Sequence, residues 1–132
     1  MKICAAQVRP FKGDIDKNIA DHKRIIDLAV SEKADLIVFP EPSLTGYEPK
    51  LCEALATHPD DNRLNGFQTI SDTGNITICT GLPTMSSSGV LISMIIFQPG
   101  QPRQTYSKQH LHADELPYFI PGQHQVMLTI ND

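Results

Sequence analysis

Residues 36–47 read LIVFPEPSLTGY, and this stretch decides the fold. Its first four residues are apolar, which is typical of a short strand buried on both faces in a parallel sheet under covering helices. The apolar run ends at Pro40, and Glu41 lies between Pro40 and Pro42. Proline fixes its own φ and holds the preceding residue extended, so Glu41 has little backbone freedom. The stretch predicts a carboxylate on a stiff turn at the carboxyl end of a strand, where open α/β sheets bind ligands.

The residues before this stretch predict a strand followed by a helix. Residues 2–8 are largely apolar and favour a first strand. From residue 15 onward, spacings of four and three place one set of residues on a single helical face: Ile15, Ile19, His22, Ile26 and Ala29. A right-handed crossover between parallel strands is the expected connection. We interpret His22 as a packed histidine rather than a ligand.

The residues after the stretch predict short helices and then further strands. Residues 49–57 favour one or two helical turns, and a second helix is expected from Asp60 or Asp61 to about Ser71. Met85 to Gly89 is expected to be a polar loop. Strands are predicted at residues 75–82, at 90–98, at a segment ending near 106, and at 126–130.

The composition is that of an ordinary globular protein with a single domain over residues 1–132. A net charge of −4, from 11 basic and 15 acidic residues, offers no basic surface to nucleic acid or to an anionic membrane. The longest apolar stretch, near residues 90–97, is too short to span a bilayer. Cys4, Cys52 and Cys79 have no metal-ligand spacing, so reduced thiols in a cytoplasmic protein are expected.

A second segment with several reactive side chains covers residues 106–115, which read YSKQHLHADE. Lys108 beside a buried carboxylate would stay charged and stabilise a developing oxyanion. Most lysines simply face solvent, and most acids on loops do the same. From the residues alone, catalytic and solvent-exposed roles are therefore both open for Lys108 and Glu41.

The same segment also permits a metal-dependent alternative. His110 and His112 share one face of an extended chain, with Asp114 next along it. Imidazoles and a carboxylate suit zinc, so a metal-dependent hydrolase built on these three residues stays open. Such motifs usually continue with another histidine, whereas Glu115 follows here.

Taken together, the two segments resemble the nitrilase, or carbon–nitrogen hydrolase, superfamily. The matching residues are an opening strand at 3–7, LIVFPEPSLTGY at 36–47, GLP at 81–83, YSKQHL at 106–111, and Glu115 before FIPG at 119–122. The two motifs FPE…TGY and Y-x-K-x-H-L are specific in combination, and the matches cover nearly the whole chain. The resemblance implies an α/β fold, the N-terminal part of a nitrilase-like αββα sandwich. In that fold a mixed sheet is covered by helices on one face.

The resemblance also implies the chemistry. The superfamily hydrolyses non-peptide carbon–nitrogen bonds in amides, carbamoyl amines or nitriles, and no cofactor is implied. Glu41 matches the general base, Lys108 the oxyanion-stabilising cation, and Glu115 a second glutamate that assists near the lysine. The third catalytic member is a cysteine that attacks the carbonyl and becomes a thioester. It is expected on a turn after the strand at 126–130, and no cysteine of this chain has that context.

We therefore expect residues 1–132 to be an apparently incomplete nitrilase-like domain that is inactive alone, because the nucleophile is absent. Its partner would be a small amide or nitrile substrate, with neither nucleic acid nor membrane involved. The sheet face that normally packs on the rest of the sandwich would be open, so self-association is expected. A non-catalytic half-fold that binds or dimerises is the other alternative.

Overall fold

The computed structural model describes residues 1–130, which form one five-stranded mixed sheet with helices packed on it. The strands are β1 (Ile3–Ala5), β2 (Leu36–Val38), β3 (Thr77–Ser86), β4 (Gly89–Phe97) and β5 (Gln104–Ser107). The α-helices are α1 (Ile15–Ser31), α2 (Cys52–Leu55) and α3 (Asn65–Gly74), with short 3₁₀ helices at Pro49–Leu51 and Asn62–Leu64. Strand order follows the chain. The pairs β1–β2 and β2–β3 are parallel, and β3–β4 and β4–β5 are antiparallel, which confirms the predicted mixed sheet.

Helix α1 forms because its buried residues share one face and its N-terminus is capped. The Asp14 carboxylate accepts a hydrogen bond from the Lys17 N–H at 3.1 Å, which satisfies an amide of the first turn. The buried residues include the whole predicted stripe and one more polar side chain: Ile15, Asn18, Ile19, His22, Ile26 and Ala29. Within residues 1–130, no helix combines the length and apolar character needed to cross a membrane.

The main core lies between the helices and one face of the sheet. Ile37 of β2 is the register partner of Ile78 of β3, which in turn pairs with Phe97 of β4. These three side chains share a face and pack in one apolar cluster with Ile26 of α1 and Phe67 of α3. The helices therefore cover this face, as the resemblance implies.

The opposite face of the sheet is partly open. In each strand, the residue one position before a core-facing residue points to the other face of the sheet. In β1, β2 and β3 these residues are the register partners Ile3, Leu36 and Thr77. Ile3 is 55% exposed, whereas Thr77 and Cys79 are buried. The open apolar surface thus lies towards the β1 edge.

The strand predicted at residues 126–130 is not formed, so that prediction is wrong. Val126 and Leu128 are half-buried while Met127 is exposed, which is the alternation that suggested a strand. The backbone has no ladder partner among residues 1–130; instead the Gln98 side-chain amide donates to the Thr129 carbonyl at 2.9 Å. Side-chain alternation predicts which face is buried, but a strand also needs a neighbour.

The polar loop predicted at residues 85–89 is wrong as well. β3 continues to Ser86, where it pairs with Gly89, the first residue of β4. The connection is therefore a tight hairpin through Ser87 and Ser88. The first strand is shorter than predicted, because only Ile3–Ala5 pairs with β2.

Candidate active site

The turn that carries Glu41 lies directly against β3. The Leu44 N–H donates to the Gly81 carbonyl at 2.9 Å. A Cβ atom added at Gly81 would lie 1.3 Å from the carbonyl oxygen of Glu41. Only glycine allows this approach, because any side chain would overlap the turn. Gly81 of the GLP match is therefore required for the placement of Glu41.

The turn is also closed by its own backbone. The Ser43 N–H donates to the Pro40 carbonyl at 3.0 Å, and the Gly46 N–H donates to the Pro42 carbonyl at 2.7 Å. Gly46 has a φ of 76°, in the left-handed region that favours glycine. The sequence PEPSLTG thus encodes a compact turn with Glu41 near its start.

Lys108 follows β5 and is fixed by backbone hydrogen bonds on both sides. Its N–H donates to the Ile92 carbonyl at 2.8 Å, and its carbonyl accepts from the Gly122 N–H at 2.8 Å. A Cβ atom at Gly122 would lie 2.2 Å from the carbonyl oxygen of Ser107, so this approach also requires glycine. The FIPG match therefore supports the backbone of Lys108.

The three residues singled out from the sequence meet at one point. The Lys108 Nζ atom lies 3.2 Å from Oε2 of Glu41 and 3.0 Å from Oε1 of Glu115. The other Glu115 oxygen accepts the His112 N–H at 2.8 Å. The exposed fraction of the side chain is 6% for Glu115, 25% for Lys108 and 47% for Glu41. Glu115 thus forms the buried floor of the site, and Glu41 faces its mouth.

Electrostatics keep the Lys108 ammonium charged. Burial lowers the pKa of Lys108, but its hydrogen bonds and Coulomb attraction to Glu115 and Glu41 outweigh that effect, so the pKa lies above its usual value. Both Glu115 oxygens are engaged, so this carboxylate holds the lysine in place. Among residues 1–130, no group hydrogen-bonds to Oε1 of Glu41. That oxygen is free to accept a proton.

One further contact at the mouth joins the two motif segments. The Tyr47 hydroxyl donates to Oδ2 of Asp114 at 3.0 Å, and the His112 ring also hydrogen-bonds to Asp114. The hydrogen bonds from His112 and Tyr47 hold the pKa of Asp114 below its usual value. Sequence reasoning missed this contact, although Tyr47 ends the TGY match and Asp114 precedes Glu115.

A small cavity lies beside the site. Its volume is about 30 Å³, enough for roughly two water molecules. Its walls include Glu41, Glu115, Cys52, Leu82 and Phe119. It therefore extends the site into an apolar interior.

Cys52 and Cys79 are poorly placed to act as nucleophiles, and Cys4 packs against the apolar core. Burial raises the pKa of Cys52, whose thiol donates to the Tyr118 carbonyl at 3.5 Å, and burial raises the pKa of Cys79 to about 11. A nucleophilic cysteine needs a thiolate, which a raised pKa opposes. Within the described part of the chain, no thiol hydrogen-bonds to Glu41 or Lys108.

The residues of the metal-dependent alternative do not form a ligand set. His112 is engaged with Asp114, whereas His110 is exposed. Over residues 1–130, no group of three His, Cys, Asp or Glu side chains is arranged to hold a metal ion. The arrangement of the site therefore favours carboxylate and lysine chemistry.

Comparison with known proteins identifies the family and the fold of the chain. The carbon-nitrogen hydrolase family model matches residues 2–130. A glutamine-dependent NAD(+) synthetase from Acinetobacter baylyi is 32% identical over 95% of this chain and 24% of its own length. The chain therefore spans about a quarter of the length of the curated relatives it matches.

Solved structures share the fold. A CN-hydrolase superfamily protein from Xanthomonas campestris superposes with a TM-score of 0.85 at 18% identity, over 97% of this chain and 48% of that one. A mutant amidase from Nesterenkonia sp. AN1, with an acetamide moiety covalently added at its active-site cysteine, gives 0.78 at 20% identity, over 94% and 49%. The fold thus matches about half of a nitrilase-fold chain. The protein belongs to the carbon-nitrogen hydrolase family.

Proposed function

We propose that this chain supplies the general base, the oxyanion-stabilising cation and the supporting glutamate of a hydrolase that cleaves non-peptide carbon–nitrogen bonds through a thiol nucleophile. One observation carries the proposal: the Lys108 ammonium lies between Glu41 and Glu115, within 3.2 Å and 3.0 Å of their oxygens. Within the part of the chain that the structure describes, no other lysine contacts two carboxylates of which one is buried.

The geometry suits each step of acyl transfer. Glu41 takes the proton of the attacking thiol as sulfur bonds to the substrate carbonyl carbon. Lys108 stabilises the oxyanion that develops on the carbonyl oxygen. The C–N bond then breaks, the amine leaves with the proton held by Glu41, and a thioester remains. Glu41 next activates a water molecule that hydrolyses the thioester, while Glu115 keeps Lys108 in position.

The thiol is expected to come from outside these 132 residues. Cys52 and Cys79 are buried and have raised pKa values, and Cys4 packs against the apolar core. Within residues 1–130, no thiol hydrogen-bonds to Glu41 or Lys108. The Nesterenkonia amidase carries its covalent adduct on an active-site cysteine, which supports a thiol mechanism for this fold. We therefore expect the isolated chain to release no ammonia from simple amides.

Three curated relatives suggest the substrate class to test. The Acinetobacter baylyi protein is glutamine-dependent, as are two further NAD(+) synthetases that match this chain. An ω-amide of the glutamine type is therefore the first substrate to test. Other amides, carbamoyl amines and nitriles are the comparison set.

A fusion tests the proposal. The matched quarter of the Acinetobacter baylyi enzyme is replaced by residues 1–130 of this chain, and ammonia release from glutamine is measured. We expect the fusion to release ammonia from glutamine, and Glu41→Gln should abolish this activity. The control Glu32→Gln should leave it unchanged, because Glu32 lies at the exposed C-terminal end of α1. A fusion that melts cooperatively but releases no ammonia from any substrate of the set would contradict the proposal.

A further inference from the structure

The buried side of the Glu41 turn is hydrogen-bonded to helix α1. The Nε2 atom of His22 lies 2.9 Å from the Ser43 hydroxyl oxygen. The same oxygen accepts the Gly81 N–H at 3.3 Å. His22 is 1% exposed and Ser43 is fully buried, so this link from helix to turn to β3 is shielded from water. Hydrogen bonds in such surroundings are strong, and each partner is costly to leave unpaired.

His22 contacts the turn on both sides of Glu41. Its ring stacks on Phe39, with ring centroids 4.0 Å apart and an angle of 17° between the planes. Phe39 lies two residues before Glu41, and Ser43 lies two residues after it. One side chain of α1 therefore fixes the chain where it enters the turn and where it leaves the glutamate.

Asn18 lies one helical turn before His22 in α1 and adds a second hydrogen-bonded contact between this helix and the Glu41 turn. Its side-chain amide donates to the Leu44 carbonyl at 3.0 Å and to the Phe11 carbonyl at 2.8 Å. Asn18 and His22 are the two polar side chains on the otherwise apolar face of α1. Burying polar groups costs free energy unless they are paired. The Asn18 amide and Nε2 of His22 are both hydrogen-bonded to the Glu41 turn, whereas Nδ1 of His22 has no partner within residues 1–130.

The Glu41 carboxylate has little else to fix it. Among residues 1–130, its hydrogen-bond partner is Lys108, and its side chain is 47% exposed. Its position therefore depends on the backbone of the turn. A shift of about 1 Å in such a group is enough to lower turnover strongly.

We propose that His22 and Ser43 are positioning residues, whose hydrogen bond fixes the turn so that the Glu41 carboxylate lies against the Lys108 ammonium. The catalytic meaning of this inference rests on the proposed function. The positioning itself is a property of the 132-residue chain and is measured without turnover.

The test is the pKa of Lys108, followed by NMR of ¹⁵N-labelled lysine in the 132-residue chain. His22→Phe keeps a ring against Phe39 and removes the hydrogen bond, and Ser43→Ala removes a single oxygen atom. We expect each to lower the pKa of Lys108 by up to about 1 unit, because the ammonium loses part of its attraction to Glu41. His22→Gln, which keeps a polar group near Nε2, should restore part of the shift.

Ser71→Ala is the matched control. Ser71 is also a fully buried serine with two hydrogen bonds, at 2.7 Å to the Ile76 carbonyl and at 3.2 Å to the Phe97 carbonyl. It lies on α3, so its loss should lower stability without moving the pKa of Lys108. The same result for Ser43→Ala, namely lower stability with an unchanged Lys108 pKa, would overturn the inference. Ser43→Ala decides alone if His22→Phe fails to fold.

A reference variant separates this inference from the proposed function. Glu41→Gln removes the carboxylate itself and should lower the pKa of Lys108 in the folded chain. If it does so and Ser43→Ala does not, the positioning role is wrong and the proposed site stands. If Glu41→Gln has no effect, the Glu41–Lys108 contact and the proposed function fail together.

Discussion

At the residue scale, two glutamates contact one lysine but differ in their surroundings. Glu115 is buried with both oxygens hydrogen-bonded, whereas Glu41 is half exposed with one oxygen free. A buried carboxylate whose two oxygens both accept hydrogen bonds is less accessible to a substrate or a nucleophile than the exposed Glu41. The difference supports our proposal that Glu115 has the supporting role and that Glu41 is the base.

His22 gives the first prediction at this scale, a loss of stability in acid. Burial lowers the pKa of His22 from 6.5 to about 4, against smaller opposing effects of the Asn18 backbone and Asp21. The folded state therefore disfavours the proton that the unfolded chain binds below pH 6.5. The stabilisation is complete above pH 6.5 and is lost progressively as the pH falls to about 4, by roughly 3 kcal/mol in total.

Urea unfolding at pH 7 and at pH 4.5 measures this effect. The free energy of unfolding should fall more in the parent chain than in His22→Phe, which has no titratable ring. Equal losses in the two chains would show that the protonation of His22 does not contribute.

At the element scale, the contact between β3 and the Glu41 turn gives the second prediction. Gly81→Ala would place a methyl group 1.3 Å from the Glu41 carbonyl oxygen, so the turn must move away from the strand. We expect a loss of at least about 3 kcal/mol, in the range of severe overpacking, together with a lower Lys108 pKa.

Gly66→Ala is the matched control for this change. In α3 the added methyl group meets only the flexible end of the Lys23 side chain. Alanine also favours the helix by up to about 1 kcal/mol relative to glycine. A Gly81→Ala chain as stable as Gly66→Ala would show that the close approach is not required.

The elements also show what the sequence could and could not predict. α1 was predictable because its apolar residues recur at spacings of three and four, and β2 because it is a continuous apolar run that ends at a proline. The lysine–glutamate cluster was predictable because two motifs matched together. The prediction of a strand at 126–130 was wrong, because the alternation of apolar and polar side chains does not show whether a neighbouring strand is there to pair with. The His22–Ser43 link was not predictable, because it joins residues 21 positions apart that have no shared motif.

At the scale of the whole molecule, the partly open sheet face gives the third prediction. Ile3 is 55% exposed on the face opposite the helices, so we expect the 132-residue chain to self-associate at tens of micromolar. Ile3→Lys should lower the average mass measured by light scattering. Leu28→Lys, a change at a 63% exposed residue of α1, should not. A clean monomer for the parent chain would contradict the expectation.

The central claim is that Glu41 and Lys108 act as one catalytic unit, and a double-mutant cycle in the fusion tests it most directly. Glu41→Gln and Lys108→Met should each lower kcat/KM for glutamine by about 10²-fold or more. The double variant should lose little more than the more damaging single change, because groups that act as a unit are not additive. Losses that multiply, or a single variant with near-parental turnover, would contradict the account.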